Sequence, residues 1–385
     1  MRFLQTADWH LGRIMHGFSL IDDQAYALEQ LIGVVRDSRP DVFLVCGDVY
    51  DRSVPPREAV ELLNDFLSRL VLDLQVPVAI IAGNHDSPSR LEFASRVLAG
   101  QGLHVCGSVS PKITEAVVED QWGRVHFYAL PYAEPSSVRE KFGSDACQDH
   151  ESAMQAVLEQ VRLCHPPGER SVLLAHAFVR GGLATESERP LSVGGTEQVS
   201  ASCFEGFNYV ALGHLHRAQS ADGSCLHYAG SPLKYSFSEA DHAKSVNLVE
   251  IDQAGACRVE RIPISPQRDV RRVRGYLKEI LAGPDSGENR EDYLMVTLLD
   301  TGAILDAMGQ LREVYPNVMH LERPSLELPG GSRGVRPDHP TLNDAQLFAD
   351  FFSQVTGCDL TAEEIAAYES IADELRKEER EAVSL

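Results

Sequence analysis

Five short stretches of this 385-residue chain put metal-ligating side chains directly behind apolar runs. They are Asp8 and His10 in RFLQTADWH, Asp48 and Asp51 in VFLVCGDVYD, Asn84, His85 and Asp86 in VAIIAGNHD, His176 closing SVLLAH, and His214 and His216 in NYVALGHLH. Carboxylates, imidazoles and one amide carbonyl make a mixed hard and borderline donor set that suits manganese, iron or zinc. No thiolate belongs to the set, which argues against a structural zinc site. The inventory is large enough for two divalent ions. Two ions roughly 3.5–4 Å apart, bridged by a carboxylate, clamp the attacking and leaving oxygens of an in-line displacement at phosphorus. Asp48, at the exit of a central apolar strand, is the natural bridge. Residues i and i+2 of a strand share a face, so Asp8/His10 and His214/His216 each present two groups together or divide them between neighbouring ions.

Taken singly, each stretch has a plainer reading. D-x-H is ordinary turn chemistry, and a lone His such as His176 after an apolar run is more often a hydrogen-bonded core side chain. G-D-x-x-D ends many strands, because Asp is a common turn residue. Five such stretches in one chain, each at the end of an apolar run, argue for a dinuclear centre.

The apolar runs themselves are short, rich in Val, Ile, Leu and Phe, and mostly ended by Gly, as strands buried on both faces are. Between the early ones the pattern predicts amphipathic helices at about 20–38, 56–72 and 88–99, with Pro55–Pro56 opening the second and Ser87 or Ser89 capping the third. Strand–helix alternation implies βαβ units and a largely parallel sheet, whose functional groups gather at the carboxyl ends of the strands. After residue 120, VHFYAL, CLHYAG and SVNLVEI follow with shorter connections and predict a second, more antiparallel sheet. Residues 1–265 therefore read as one α/β domain. SPQRDVRRVRGYLKEIL (265–281) reads as a basic helix, followed by the strand YLMVTLL, a helix at about 303–315 and the strand VMHLER, a small α/β module at 266–327. LPGGSRGVRPDHP (328–340) reads as a linker. Residues 341–385 carry two helices, capped by Asn343 or Asp344 and by Thr361, with Gly357 as a stop. They either pack back on the main domain or dock on another protein's helices.

The formal net charge of −22 argues against gripping nucleic acid by surface charge alone, although eleven acidic against three basic residues from Thr341 onward place −8 of it in the tail. Within the chain, Arg268, Arg271, Arg272, Arg274 and Lys278 form the best local basic patch, or simply a solvated face. No run approaches the roughly 18 apolar residues of a membrane span, and MRFLQTADWH lacks the marks of a signal peptide. Eight scattered cysteines without a C-x-x-C pair read as reduced thiols of a cytosolic protein.

In this order, D8-W-H10, G47-D48-V-Y-D51, G83-N84-H85-D86, H176 and G213-H214-L-H216 resemble the five signature motifs of the calcineurin-like metallophosphoesterases. MRFLQTADWHLG, AGNHDSPSRL, ALGHLH and YAGSPLKYSFSE are similar, more narrowly, to the SbcD family of bacterial nuclease subunits. The resemblance implies a two-sheet α/β/β/α sandwich with a small capping domain and C-terminal helices. It implies two divalent ions, most readily manganese. Asp8, His10, Asp48 and His216 would surround one, and Asp48, Asn84, His176 and His214 the other. His85 would face the phosphate, oriented by the carboxylate of Asp51, while Asp86 would brace the turn. His16, His104, His126, His150, His165, His227, His242, His320 and His339 lie outside the motifs and are not expected to be ligands. The implied activity is exonuclease action on duplex DNA ends and endonuclease cleavage at hairpins or blocked ends. The implied partners are the ATPase SbcC, met by residues 341–385, and a second copy, met through helices 56–72 and 88–99. A phosphatase is the competing expectation, since GDVYDR echoes G-D-x-x-D-R-G. Ser53 stands where that pattern has Gly, however, and GNHD replaces GNHE.

Overall fold

The computed structural model describes residues 1–143, 147–188, 198–221, 225–284, 286–301, 304–324, 348–349, 352–353, 359–368 and 371. Each of the five apolar runs is a strand. In chain order the principal strands are β1 (Arg2–Thr6), β2 (Val42–Cys46), β3 (Val78–Ile81), β4 (Leu103–Cys106), β5 (Thr114–Asp120), β6 (Gly123–Leu130), β7 (Arg170–His176), β8 (Tyr209–Gly213), β9 (Gln219–Ser220), β10 (Leu226–Tyr228), β11 (Ser245–Ile251) and β12 (Cys257–Pro263). They form two six-stranded sheets, ordered β12-β11-β1-β2-β3-β4 and β9-β10-β8-β7-β6-β5.

Both sheets are parallel at their centres, β1 to β4 in the first and β6, β7, β8 and β10 in the second. Antiparallel strands flank them. The second sheet is thus less antiparallel than its short connections suggest, because the helix His150–Cys164 supplies a crossover between β6 and β7. SVNLVEI also departs from expectation. As β11 it pairs with β1 of the first sheet (Arg2 opposite Glu250, Gln5 opposite Asn247). An apolar run records that a strand is buried but not which free edge it completes.

The alternating residues facing inward form the sandwich core: Phe3, Leu44, Cys46 and Ile81 from one sheet meet Phe127, Val172, Leu174 and Tyr209 from the other. Phe3 meets Phe127 and Tyr209 edge-on, at 5.6 and 5.3 Å. The remaining sheet faces are covered by α1 (Ile21–Ser38), α2 (Arg57–Ser68) and the helix at 150–164. Pro56 stands at the N-cap of α2. The segment 88–99 is two single turns, Pro88–Leu91 and Ser95–Leu98, separated by Ala94 at φ 57°.

Contacts divide the chain at Arg271/Arg272. The second unit takes in most of the strand Val270–Gly275 and the strands Tyr293–Leu298 and Val318–Glu322, and the three form one sheet around Leu294, Val296, Leu311 and Val318. The expected basic helix is therefore a strand followed by the short turn Leu277–Ile280. VRRVRG satisfies a two-residue period as well as a helical one, and Arg272 and Arg274 project to solvent from one face of the strand. The linker 328–340, His339, Asn343, Asp344 and Gly357 lie outside the described residues. Thr361 caps residues 362–368, exchanging bonds with Glu364 (Thr361 N to Oε2 2.8 Å, Glu364 N to Oγ1 3.3 Å). Phe348 stacks on Tyr368 with ring centroids 4.2 Å apart. No helix among the described residues is long and apolar enough to cross a membrane.

Candidate metal centre

The centre grows from the carboxyl ends of β1, β2, β3, β7 and β8, where the two sheets meet. Close approach there depends on glycine. A Cβ at Gly213 would lie 1.8 Å from the carbonyl oxygen of Cys46, one at Gly47 2.3 Å from His176 Nδ1, and one at Gly83 2.1 Å from Asp48 Oδ1. Each of these glycines precedes a proposed ligand or its loop. The chain then bends sharply: Asp8, His10, Asp48 and His214 have φ of 54, 46, 48 and 102°. Side chains other than Gly occupy this region at a cost of about 1 kcal/mol or more each. Trp9, between two of them, points the other way and wedges between Phe43 and Phe66, at 6.4 and 5.1 Å, so Asp8 and His10 are turned inward.

All seven expected ligands and His85 come together. Asp8, His10, Asp48, His176, His214 and His216 are buried, whereas Asn84 and His85 are half-buried. One group comprises Asp8, His10 and Asp48, a second Asp48, His176 and His214, and a third His10, Asp51 and His85, each with ligand atoms within 4.8 Å of one another. Asp48 belongs to two of them. His216 joins the first group through its Nε2, 3.0 Å from His10 Nε2. Asn84 joins the second, its Oδ1 3.0 Å from His176 Nε2 and 3.2 Å from His214 Nδ1.

Main-chain groups fix these side chains. Asp8 Oδ1 accepts from His214 N, and Asp48 Oδ1 accepts from His85 N, both at 2.8 Å. His176 Nδ1 lies 2.9 Å from the carbonyl of Cys46. A carbonyl only accepts, so His176 carries its hydrogen on Nδ1. In the neutral ring its Nε2 lone pair faces Asn84 Oδ1 and, at 3.5 Å, Asp48 Oδ2. In that state acceptors face one another, and a proton or a cation between them is needed to reconcile them. Asp8 Oδ2 is likewise buried without a hydrogen-bond partner. Such a donor-poor pocket of carboxylate, imidazole and amide oxygen fits divalent cations.

The electrostatics follow from burial. It pushes the Asp8 carboxyl up to about 7, against the pull of His176 and His216. Burial also holds His10 and His214 well below the usual imidazole range. Burial would raise Asp48 too, but His176, His10 and His85 outweigh it and bring the group well below the carboxylate range. His176, despite burial, is held up at about 9 by Asp48 and Asp8. Protons held here stand where cationic charge would.

One detail differs from the expected roles, and the expected bracing by Asp86 is present. His85 Nδ1 is anchored at 2.8 Å by the backbone carbonyl of Asp51, while the Asp51 carboxylate pairs with Arg13 at 2.8 Å and lies 3.6 Å from His10 Nδ1. Asp86 accepts from Val49 N, Tyr50 N and Gly83 N, tying the GNHD turn to the loop after β2. Burial, with the nearby charge of Asp48, raises it to about 6.

Sequence reasoning missed the supports behind the ligands. Gln24 of α1 donates to the carbonyls of Trp9 and His10 and accepts from Gly12 N. Tyr235 donates to Trp9 O, and Glu239 and Lys244 form a buried pair beside His216. YAGSPLKYSFSE, which ends in Glu239, is the available signal. Of the histidines outside the motifs, His126 lies between Glu115 and Glu169 at the opposite end of β6, and His165 bonds Tyr128.

The sequence pattern of the calcineurin-like phosphoesterases matches residues 1–218, and that of the type 5 capsule protein repressor C-terminal domain (SbcD_C) matches residues 266–356. The chain belongs to the calcineurin-like phosphoesterase family and is a metal-dependent phosphodiesterase. Along almost its whole length it is similar to the SbcD subunit of the nuclease SbcCD from Staphylococcus saprophyticus subsp. saprophyticus, 31% identical over 378 residues, covering 98% of this chain and 99% of that one. Among solved structures, a dimetal phosphatase from Danio rerio is 13% identical, covering 69% of this chain and 98% of that one, with a TM-score of 0.41. The protein TT1561 of Thermus thermophilus is 15% identical, covering 68% and 98%, with a TM-score of 0.39.

Proposed function

We propose that this chain is the nuclease subunit of an SbcCD-type complex, cutting duplex DNA at ends and hairpins together with the ATPase SbcC in recombination, repair and replication. The observation that carries the proposal is the 31% identity to the SbcD subunit of an SbcCD nuclease over 98% of the chain. The match of residues 266–356 to SbcD_C supports it, because a plain phosphatase needs no such module.

Asp8, His10, Asp48 and His216 would hold one ion, and Asp48, Asn84, His176 and His214 the other, with manganese the best match to the donor set. When bound, the ions supply a water of lowered pKa and neutralise charge on the phosphate oxygens. The chain's own residues do the rest. Asp48 Oδ2 faces both groups of ligands, 3.7 Å from His10 Nε2 and 3.5 Å from His176 Nε2, and His85 N sets the carboxylate's orientation through Oδ1. His85 gives its Nδ1 hydrogen to Asp51 O, which leaves Nε2 for proton traffic with the phosphate or the leaving oxygen. The Asp51 carboxylate holds Arg13.

The same reading places the protein in the cytoplasm as part of a heterotetramer. The acidic segment 341–385 would contact SbcC, and two copies of this subunit would pair through residues 56–72 and 88–99. Exposed Phe93 (79%) and Val97 (75%) in the second of these segments support the pairing. End-labelled duplex and hairpin DNA with manganese, run beside a phosphomonoester, tests the activity. Cleavage of DNA with negligible phosphate release is expected, and hydrolysis of the monoester alone would refute the proposal.

A further inference from the structure

Behind His216 lies a closed polar relay that no ligand assignment requires. Lys244 (6% exposed) points its ammonium at three acceptors: His216 O at 2.9 Å, Ser231 Oγ at 2.8 Å and Glu239 Oε2. Ser231 spends its one hydrogen on Leu233 O, 2.7 Å away, so it accepts from Lys244. Three acceptors require all three ammonium hydrogens, and Lys244 is charged.

Its partner Glu239, fully buried, is then a carboxylate and accepts only. Its Oε1 takes Tyr235 N at 3.2 Å and Ser187 Oγ at 2.5 Å. The Ser187 hydrogen is thereby committed to Glu239. Thr185 Oγ1, 2.7 Å from Ser187 Oγ, spends its own hydrogen on Glu188. Among the described residues the remaining neighbour of Ser187 Oγ is His216 Nδ1, at 2.8 Å, and with no hydrogen left to give it Ser187 must accept from it. His216 Nδ1 therefore carries the hydrogen, and Nε2 carries the lone pair that faces His10 Nε2.

We propose that Glu239, charged by Lys244, is a positioning residue that dictates the tautomer of His216 through Ser187, and so determines how tightly one of the two cation positions binds. The inference rests on the reading of His216 as a ligand. Each hydrogen in the relay has one direction, and the direction is set by a lysine that can only donate. Groups of this kind behind a metal-binding histidine are worth roughly 10- to 100-fold in affinity.

Glu239→Gln is the decisive variant because it keeps the shape and inverts the relay. Its carbonyl must face Lys244, since an amide turned the other way would meet the charged ammonium donor to donor, a costlier clash than the one its N–H makes with the neutral Tyr235 N–H. The amide N–H then points at Ser187, whose hydrogen is released toward His216 Nδ1, and His216 shifts its own hydrogen to Nε2. Ser187→Ala is the contrast, because His216 Nδ1 already lies 3.4 Å from Glu239 Oε1 and keeps its direction of donation.

Nitrogen-15 NMR of the histidines in the full chain without metal reports the tautomer, and calorimetric titration with Mn2+ reports the sites. The expected result is an Nδ1–H tautomer for His216 in the native protein and an Nε2–H tautomer in E239Q. E239Q should also show at least about tenfold weaker binding at one of two positions, and S187A a smaller loss than E239Q. Native His216 protonated at Nε2, or E239Q binding two Mn2+ ions as tightly as the native chain, would overturn the proposal. If E239Q fails to fold, the native spectrum alone decides. H216A binding both ions unimpaired would instead remove His216 from the ligand set, a separate failure that the tautomer measurement tells apart.

Discussion

The Nδ1 of His85 is anchored 2.8 Å from the main-chain carbonyl of Asp51, and the Asp51 side chain faces Arg13. Orientation of the imidazole thus survives loss of the carboxylate. Asp51→Asn should reduce DNA cleavage by no more than about tenfold, whereas His85→Gln should reduce it by about 10²- to 10⁴-fold, the usual worth of a proton-transfer group. Manganese titration should show both ions still bound in H85Q. Equal losses in the two variants would return the anchoring role to the carboxylate.

Gly213 lets β8 pass the end of β2, where a Cβ would fall 1.8 Å from Cys46 O. Gly213→Ala cannot be absorbed by a flexible side chain, because the obstacle is backbone. Destabilisation of about 1–3 kcal/mol is expected, as for other overpacked sites, with loss of metal binding. Denaturant unfolding and manganese titration of G213A check it.

Far from the centre, Asp120 pairs with Arg170 (3.0 Å to Nη1), whose side chain is 6% exposed. That guanidinium holds the Asp120 carboxyl far below its ordinary range. A carboxyl so depressed contributes stability above its unfolded value near pH 4 and loses it as pH falls further. At pH 7, Asp120→Asn should cost about 3 kcal/mol, since it strands a buried arginine. Below about pH 4 the gap to the native chain should narrow, because the Asp120 carboxyl of the unfolded native chain takes up its proton there while the folded one stays ionised. A gap independent of pH would refute the ion-pair account.

Chelation should lower the melting temperature of the full chain and manganese should restore it. A ligand at one hundred times its dissociation constant adds about 2.7 kcal/mol. A melting curve that ignores both would contradict a metal centre.

Removal of residues 341–385 should abolish co-purification with SbcC while manganese-dependent DNA cleavage by the remainder persists. Undiminished complex formation would defeat the docking role of that segment.

Ligands are easier to read than their surroundings. Asp8, Asp48, His176 and His214 announce themselves because a buried strand that ends in a polar side chain is a local pattern. Partners across space are not local. SVNLVEI gives no sign that it closes the edge beside β1, and VRRVRG fits a strand or a helix until its neighbour in the sheet is known. Asp51 is legible as a neighbour of His85, but only the fold shows that its carbonyl, not its carboxylate, makes the bond. Glu239 and Lys244 lie five residues apart in sequence and acquire meaning only because the loop folds back on His216.

The bonds from His214 N to Asp8 and from His176 Nδ1 to Cys46 O each run from one sheet to the other. The centre is a clasp, and its two halves belong to opposite layers of the sandwich. Any opening that parts the sheets dismantles both groups of ligands at once, so on heating the bound ions and the interlayer core should be lost in a single event. A chain with this arrangement cannot cut while half-assembled, a built-in safeguard for the nuclease proposed here.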